Sequence, residues 1–252
     1  MGSEYVQEIT IDQNNIVKCS ISKFNPLAML QSWITDYPYQ SWKLRSVGDN
    51  VALLDIETKR LKLVFEIGED YVKLIERDEP ELAHIVNKPL APGYLLHLLS
   101  KSGIHLMPVD MDSKLAGIQL KSTGAELFAL NEIMVGIWSF SFRSCRQNLS
   151  APINSIILKI RENLEYDWEF FEDYERDWTY IWWWENKVAY TMTTDAQYSP
   201  ELKPGCETHA CLNIITKDKF SEEANMRMSN LQIRFQLTLK KFILMLRLLS
   251  FS

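Results

Sequence analysis

The chain has 252 residues, 46% of them hydrophobic and 24% charged, with 9 Gly, 9 Pro and a formal net charge of −6. That apolar content is enough to offset the ordering entropy of a globular core, and so little Gly and Pro excludes a low-complexity chain. The acidic balance disfavours nonspecific nucleic-acid binding, because phosphate contacts need a basic surface.

The length allows one large core or two modest ones. Cys19, Cys145, Cys206 and Cys211 are few and scattered, which suits free thiols in a reducing compartment. No basic-then-apolar leader pattern occurs, and no stretch approaches the roughly 20 apolar residues of a membrane span. A soluble, cytoplasmic protein without a membrane partner is expected. Asn148-Leu149-Ser150 fits the glycosylation acceptor pattern, yet a cytosolic chain would not meet that machinery.

In chain order, Tyr5 to Ile11 and Ile16 to Ile21 alternate apolar and polar around Gln13-Asn14-Asn15, the pattern of a hairpin. Leu27 to Trp33 is apolar and suits a helical turn after Pro26. Trp42 to Leu44, Val51 to Ile56, Leu61 to Ile67 and Tyr71 to Ile75 read as a meander. Gly48-Asp49-Asn50 and Gly68-Glu69-Asp70 supply its turns. Connections this short favour antiparallel pairing.

From Glu79 the period changes. Pro92 starts a helix carrying Tyr94, Leu95, Leu98 and Leu99, and Gly103 stops it. A second helix is predicted from Gly124 to Val135 with Leu127, Leu130, Ile133 and Met134 on one face. Trp138, Phe140 and Phe142 then alternate with polar residues as a strand, and the polar segment Ser144 to Pro152 is the best candidate boundary. Ile156 to Ile160 is a strand, Trp178 to Trp184 with Lys187 to Thr193 a hairpin around Glu185-Asn186, and Ala210 to Thr216 another strand. Helices are expected over Lys219 to Met228 and Leu239 to Leu249. The fold class is α+β: antiparallel sheets with covering helices, read as a strands-then-two-helices unit repeated over 1–147 and 148–252, or as one continuous sheet.

Candidate chemistry is sparse. Eight carboxylates crowd Glu162, Glu165, Asp167, Glu169, Glu172, Asp173, Glu175 and Asp177, with Arg176 the one base among them. A glycosidase needs two carboxylates with separated pKa values, and this spacing singles out no pair, so a solvated acidic face is the favoured reading. From Asn148 onward 15 acids and 12 bases give −3, of which that tract contributes −7 and leaves +4 elsewhere. Much of the remainder lies on Lys217, Lys219, Arg227, Arg234, Lys240, Lys241 and Arg247, a basic helical face able to steer toward an acidic partner.

Cys206, His209 and Cys211 are zinc-type ligands but lack the paired spacing and a fourth ligand. His84, His97 and His105 have no partnered nucleophile motif, and the phosphate-cradling glycine motifs are missing. No metal, cofactor or catalytic residue is assigned. In Trp178, Tyr180, Trp182, Trp183 and Trp184, alternation puts Trp182 and Trp184 on one face and Ile181 with Trp183 on the other. A strand apolar on both faces reads as core, and an open face would read as a protein interface anchored on aromatics. The interaction candidates are Trp183, Lys240, Lys241 and Arg247.

Four blocks resemble the C-terminal region of the axonemal dynein intermediate chain seven family, also called cancer susceptibility candidate one. They are Phe24-Asn25-Pro26-Leu27-Ala28, Tyr39-Gln40-Ser41-Trp42-Lys43-Leu44-Arg45, Lys88-Pro89-Leu90-Ala91-Pro92 and Ser102-Gly103-Ile104-His105-Leu106-Met107-Pro108. The ending Arg247 to Ser252 is similar as well. The resemblance implies a non-catalytic subunit module of a ciliary inner-arm dynein in the axoneme, attached to dynein heavy and intermediate chains, with tubulin in the microtubule as a further candidate partner. Family members are much longer, and the family offers no active-site residues to carry over. The alternative is a carbohydrate- or ligand-binding β-protein using the Trp-rich hairpin.

Overall fold

The computed structural model describes residues 6–11, 17–22, 32–48, 50–75, 82–163, 178–184, 187–191, 207–209, 211–212, 221–227 and 232–252. Residues 1–32 form one compact unit and 33–252 another. In the first, β1 (Val6–Ile11) pairs antiparallel with β2 (Val17–Ile21), and the register shifts between Gln7 and Ile9. The hairpin is therefore present, while its Gln13-Asn14-Asn15 turn and the apolar residues 27–31 lie outside the described residues.

The second unit is built on one sheet. Its strands are β3 (Ser41–Gly48), β4 (Val51–Glu57), β5 (Lys62–Ile67), β6 (Val72–Leu74), β7 (Phe140–Ser144), β8 (Ser155–Glu162), β9 (Thr179–Trp184), β10 (Lys187–Thr191) and β11 (Glu207–His209). They lie in the order β11-β10-β9-β8-β7-β3-β4-β5-β6, and every neighbouring pair is antiparallel. The 1–147 and 148–252 halves meet inside this sheet, where β7 pairs with β8 from Phe140↔Glu162 to Ser144↔Leu158. The meander turns fall where the sequence places them, with Asn50 in the left-handed region at φ 62°.

The α-helices among the described residues are α1 (Pro92–Lys101), α2 (Asp110–Ala116), α3 (Thr123–Gly136), α4 (Gln147–Ser150), α5 (Glu222–Arg227) and α6 (Ile233–Leu246). The chain is thus α+β. Pro92 stands in the first turn of α1, where its missing N–H costs nothing, and Gly103 follows its end at φ 82°. Helix α6 buries Phe235, Leu239, Phe242, Ile243 and Leu246, with Phe242 edge-on to Phe65 of β5 at 5.2 Å. Leu239, Phe242, Ile243 and Leu246 form the predicted stripe, but the helix starts earlier than Leu239 and ends at Leu246, so Leu249 is buried beyond it. Of the predicted strand from Ala210 to Thr216, residues 210 and 213–216 lie outside the described residues, and Leu212 is buried.

Two expectations need correction. Leu127 leaves the predicted stripe of α3 and is 37% exposed, because the helix instead turns Glu126 and Glu132 inward. Glu132 accepts a hydrogen bond from the Leu212 N–H, and Glu126 accepts one from Ser250 Oγ at 2.5 Å. Tyr94 likewise faces outward from α1. Helix α2 is not foreseen by an apolar period; Asp112 accepts from the Val109 N–H at its start, and Gly117 ends it at φ 68°.

The C-terminal residues complete the core. Trp42 Nε1 donates to Ser252 Oγ at 2.7 Å, and Tyr39 N–H donates to Phe251 O at 2.8 Å. Asn148 Nδ2 donates to Leu249 O and Ser252 O at 2.8 Å each, while its Oδ1 accepts from the Ile157 N–H at 3.1 Å. Asn148 is wholly buried and its amide is fully used, so a glycan could not be attached there without opening the fold.

Candidate interaction surfaces

The sheet has two different faces. Trp42, Leu44, Ala52, Leu54, Ile56, Phe142, Leu158 and Ile160 of β3, β4, β7 and β8 sit in the main core, and Ser41, Lys43, Arg45, Val51, Leu53, Asp55 and Glu57 stand half-buried on the other face. On that outer face the register aligns Asp55, Lys43, Arg143, Lys159 and Tyr180 side by side across five strands. Three adjacent cations in one row repel one another. Aromatic rings offset part of that repulsion. Arg161, Lys43 and Arg143 lie 5.2, 5.7 and 5.9 Å from the ring centre of Trp178, and Lys159 lies 5.0 Å from that of Tyr180. Trp178 is 3% exposed, so the cations surround a buried indole rather than a surface platform.

Beside this row runs an open groove of about 680 Å³. Among the described residues its charged lining is Lys59, Arg143, Arg146, Lys159 and the carboxylate Glu57. Glu57 is bridged to Lys62 at 3.1 Å and accepts from Ser41 at 3.0 Å, contacts that lower its carboxyl pKa. Lys59 and Arg146 are exposed on the rim.

The second surface is the outer side of α6. Ile233, Leu237, Lys240, Lys241 and Leu244 fall on one side of the helix at the 3.6-residue period. Ile233 is 71% and Leu237 61% exposed, and Lys240 Nζ donates to Asn131 Oδ1 at 2.7 Å on α3. Arg247, just past the helix in the left-handed region at φ 47°, pairs with Asp110 and lies 5.8 Å from the Phe251 ring. The sequence-derived cations Lys240, Lys241 and Arg247 therefore lie along one element, mixed with apolar side chains.

Trp183 does not join them. It is 1% exposed and packs in the main core with Ile181, while Tyr180 and Trp182 build a second buried cluster with Cys145, Ala151 and Ile157. Tyr180 to Trp183 of β9 are buried and Trp184 is half-buried, so the described aromatics of this strand read as core. Of the acidic tract, residues 164–177 lie outside the described residues, as do Cys206, Lys217 and Lys219. Among the described residues no group of three His, Cys, Asp or Glu side chains could hold a metal ion. No helix among them is long and apolar enough to cross a membrane.

Sequence reasoning missed one buried polar knot. Lys121 Nζ donates to Asn148 O at 2.5 Å, Ala151 O at 2.8 Å and Pro152 O at 3.4 Å. Burial pulls its pKa down to about 8 despite the opposing charge of Glu126, and burial raises that of Glu126 against the Ser250 hydrogen bond. Nothing in the local pattern of Leu120-Lys121-Ser122 marks a buried lysine, since its acceptors come from a segment almost thirty positions away.

No family model matches the sequence. Among curated proteins, dynein axonemal intermediate chain 7 from Mus musculus is 23% identical over 245 residues, covering 95% of this chain and 33% of the relative. The Homo sapiens protein of that name is also 23% identical over 245 residues, and that of Danio rerio 21% over 238. The chain is similar to dynein axonemal intermediate chain 7. The likeness extends along nearly the whole chain, as the sequence blocks imply. The chain spans about one third of the length of these dynein axonemal intermediate chain 7 relatives. The described blocks sit at structural positions: Tyr39 to Arg45 leads into and forms β3, Lys88 to Pro92 enters α1, and Arg247 to Ser252 fills the C-terminal seam.

Proposed function

We propose that this chain is a non-catalytic attachment module of an inner-arm axonemal dynein complex, working in the ciliary axoneme through contacts with dynein heavy and intermediate chains. The observation that carries this reading is the similarity to dynein axonemal intermediate chain 7 along 95% of the chain. The architecture supports it: Trp42, Trp178, Trp182 and Trp183 are buried, and the outer side of α6 joins exposed Ile233 and Leu237 to Lys240 and Lys241. Exposed apolar residues rimmed by charge are what a protein interface requires. Tubulin is the second partner in this reading, reached through the same basic helix.

The test is localisation. A tagged copy expressed in ciliated cells concentrates in the axoneme, and Ile233→Glu with Leu237→Glu releases it while leaving the melting temperature nearly unchanged. A folded wild-type chain spread evenly through the cytoplasm refutes the proposal.

A further inference from the structure

The exposed side of α6 is one wall of a groove, and α3 is the other. Gln236 Nε2 donates to Met134 O at 3.0 Å and Lys240 Nζ to Asn131 Oδ1 at 2.7 Å, so the two helices run antiparallel. The open groove between them has a volume of about 270 Å³, and its lining includes Asn131, Val135, Ile233, Gln236, Leu237 and Lys240. We infer that this seam receives an amphipathic helix of a partner protein, apolar along one stripe and acidic beside it, with its carboxylates on Lys240 and Lys241. The inference rests on the attachment role proposed above and specifies the segment through which a partner meets it.

The apolar pattern argues for a helix. Ile233, Leu237 and Leu244 of α6 are 71%, 61% and 38% exposed, and Leu127 of α3 is 37% exposed. They follow the helical period on each element, so their exposure forms a continuous stripe along the seam. From Ile233 to Leu244 that stripe extends about 17 Å at about 1.5 Å per residue, or about three turns. A ridge of apolar side chains at helical spacing seats in a groove of this kind, which is how helices recognise helical surfaces.

Charge decides what flanks that ridge. The carboxylates of the two helices, Glu126 and Glu132, both turn inward, and the sequence of α6 holds no acid at all. Asp70 stands 3.9 Å from Arg234 at one end of the seam, and Asp110 pairs with Arg247 at the other. Between those ends, Lys240 meets the neutral Asn131 amide, Lys241 is exposed, and among the described residues no carboxylate bridges either lysine. An ammonium carries three donors, so Lys240 can take a carboxylate while keeping Asn131. Pairing this face with a second copy would set these lysines against a surface whose outward charges are also cations. An unstructured acidic tail would meet the lysines but leave the leucines in water. An acidic amphipathic helix satisfies both.

The experiment measures fluorescence anisotropy of a labelled peptide of about 18 residues titrated with the full 252-residue chain. The peptide carries leucine at the a and d positions of a heptad, glutamate beside that stripe and alanine elsewhere. Saturable binding is the expected result. A peptide of the same composition whose leucines follow no helical period, one with lysine in place of glutamate, and decaglutamate should each bind about tenfold or more weakly. Lys240→Glu with Lys241→Glu, at an unchanged melting temperature, should reverse the preference, weakening the glutamate peptide by about tenfold and favouring the lysine peptide. Lys59→Gln with Arg146→Gln, outside the seam, should leave the affinity within about twofold.

Absence of binding by the wild-type chain overturns the inference. So does equal binding of the unpatterned peptide or of decaglutamate, or a preference that the lysine reversals leave unmoved. A concentration-dependent dimer lost on Ile233→Glu with Leu237→Glu would assign the face to a second copy and overturn it as well. A wild-type chain that concentrates in the axoneme yet ignores the peptide sinks this inference alone, whereas one that binds the peptide but spreads through the cytoplasm sinks the attachment role.

Discussion

The indole Nε1 of Trp42 donates to Ser252 Oγ at 2.7 Å, joining residues 210 positions apart, and the same hydroxyl donates to Leu248 O at 2.7 Å. Trp42 is a core residue of β3, and β3 lies between β7 and β4 in the sheet. This one contact therefore ties the sheet to the chain's last residues. Trp42→Ala should cost about 3–5 kcal/mol, the range for large-to-small core changes. Trp42→Phe keeps most of the ring but leaves Ser252 Oγ without its donor, and should cost about 1–3 kcal/mol. Urea unfolding of both variants gives the comparison.

Asn148 is the hub of the same seam, with three hydrogen bonds to Leu249, Ser252 and Ile157, all buried. Asn148→Asp replaces the donating amide by an acceptor facing two carbonyls, whereas Asn148→Ala empties the site. Both should destabilise by about 3 kcal/mol or more, and Asp should be the worse at neutral pH because it also buries a charge. Thermal denaturation at pH 7 and pH 4 checks this: the gap between the two variants should close as the new carboxyl is protonated.

Lys121 predicts a pH effect of definite sign. Its folded pKa, about 8, is below the unfolded value near 10.4, so between them the unfolded chain holds more protons. Stability contributed by this group must rise with pH across that window. Lys121→Met strands the carbonyls of Asn148, Ala151 and Pro152 and should lower the melting temperature at pH 7. The gap between wild type and variant should then widen from pH 8 to pH 10.5. Parallel melting curves across that range would show that Lys121 titrates normally.

Asp36 is 1% exposed and receives a two-point contact from Arg60, Nε to Oδ1 at 3.0 Å and Nη2 to Oδ2 at 2.6 Å. Arg60→Met leaves that carboxylate buried alone and should cost about 3 kcal/mol. Arg60→Met combined with Asp36→Asn should cost less than the sum of the two single changes, because the double variant strands no charge. A double-mutant cycle in urea measures the coupling directly.

Elements whose burial follows one period were legible in the sequence: the meander, Pro92 to Gly103, the Trp-rich hairpin and the α6 stripe. Asn50 and Gly103 mark the meander's first turn and the end of the Pro92 helix through backbone geometry, at φ 62° and 82°. What stayed hidden depends on strand order. The row Asp55, Lys43, Arg143, Lys159, Tyr180 draws on β4, β3, β7, β8 and β9, and no local window links Lys43 to Arg143 before β7 is known to pair with β3. The inward glutamates of α3 were hidden for the same reason, since Ser250 and the Leu212 backbone that hold them are remote in sequence. Trp183 illustrates the converse. A large aromatic is equally suited to a core and to an interface, and burial on both faces of β9 decided for the core.

The measurement that bears most directly on the attachment role is affinity purification of the tagged chain from ciliary extract, with the Ile233→Glu, Leu237→Glu variant alongside. Recovery of axonemal dynein heavy and intermediate chains with the wild type, reduced with the variant, is the predicted result. A folded wild-type chain that recovers no dynein subunit would contradict the account.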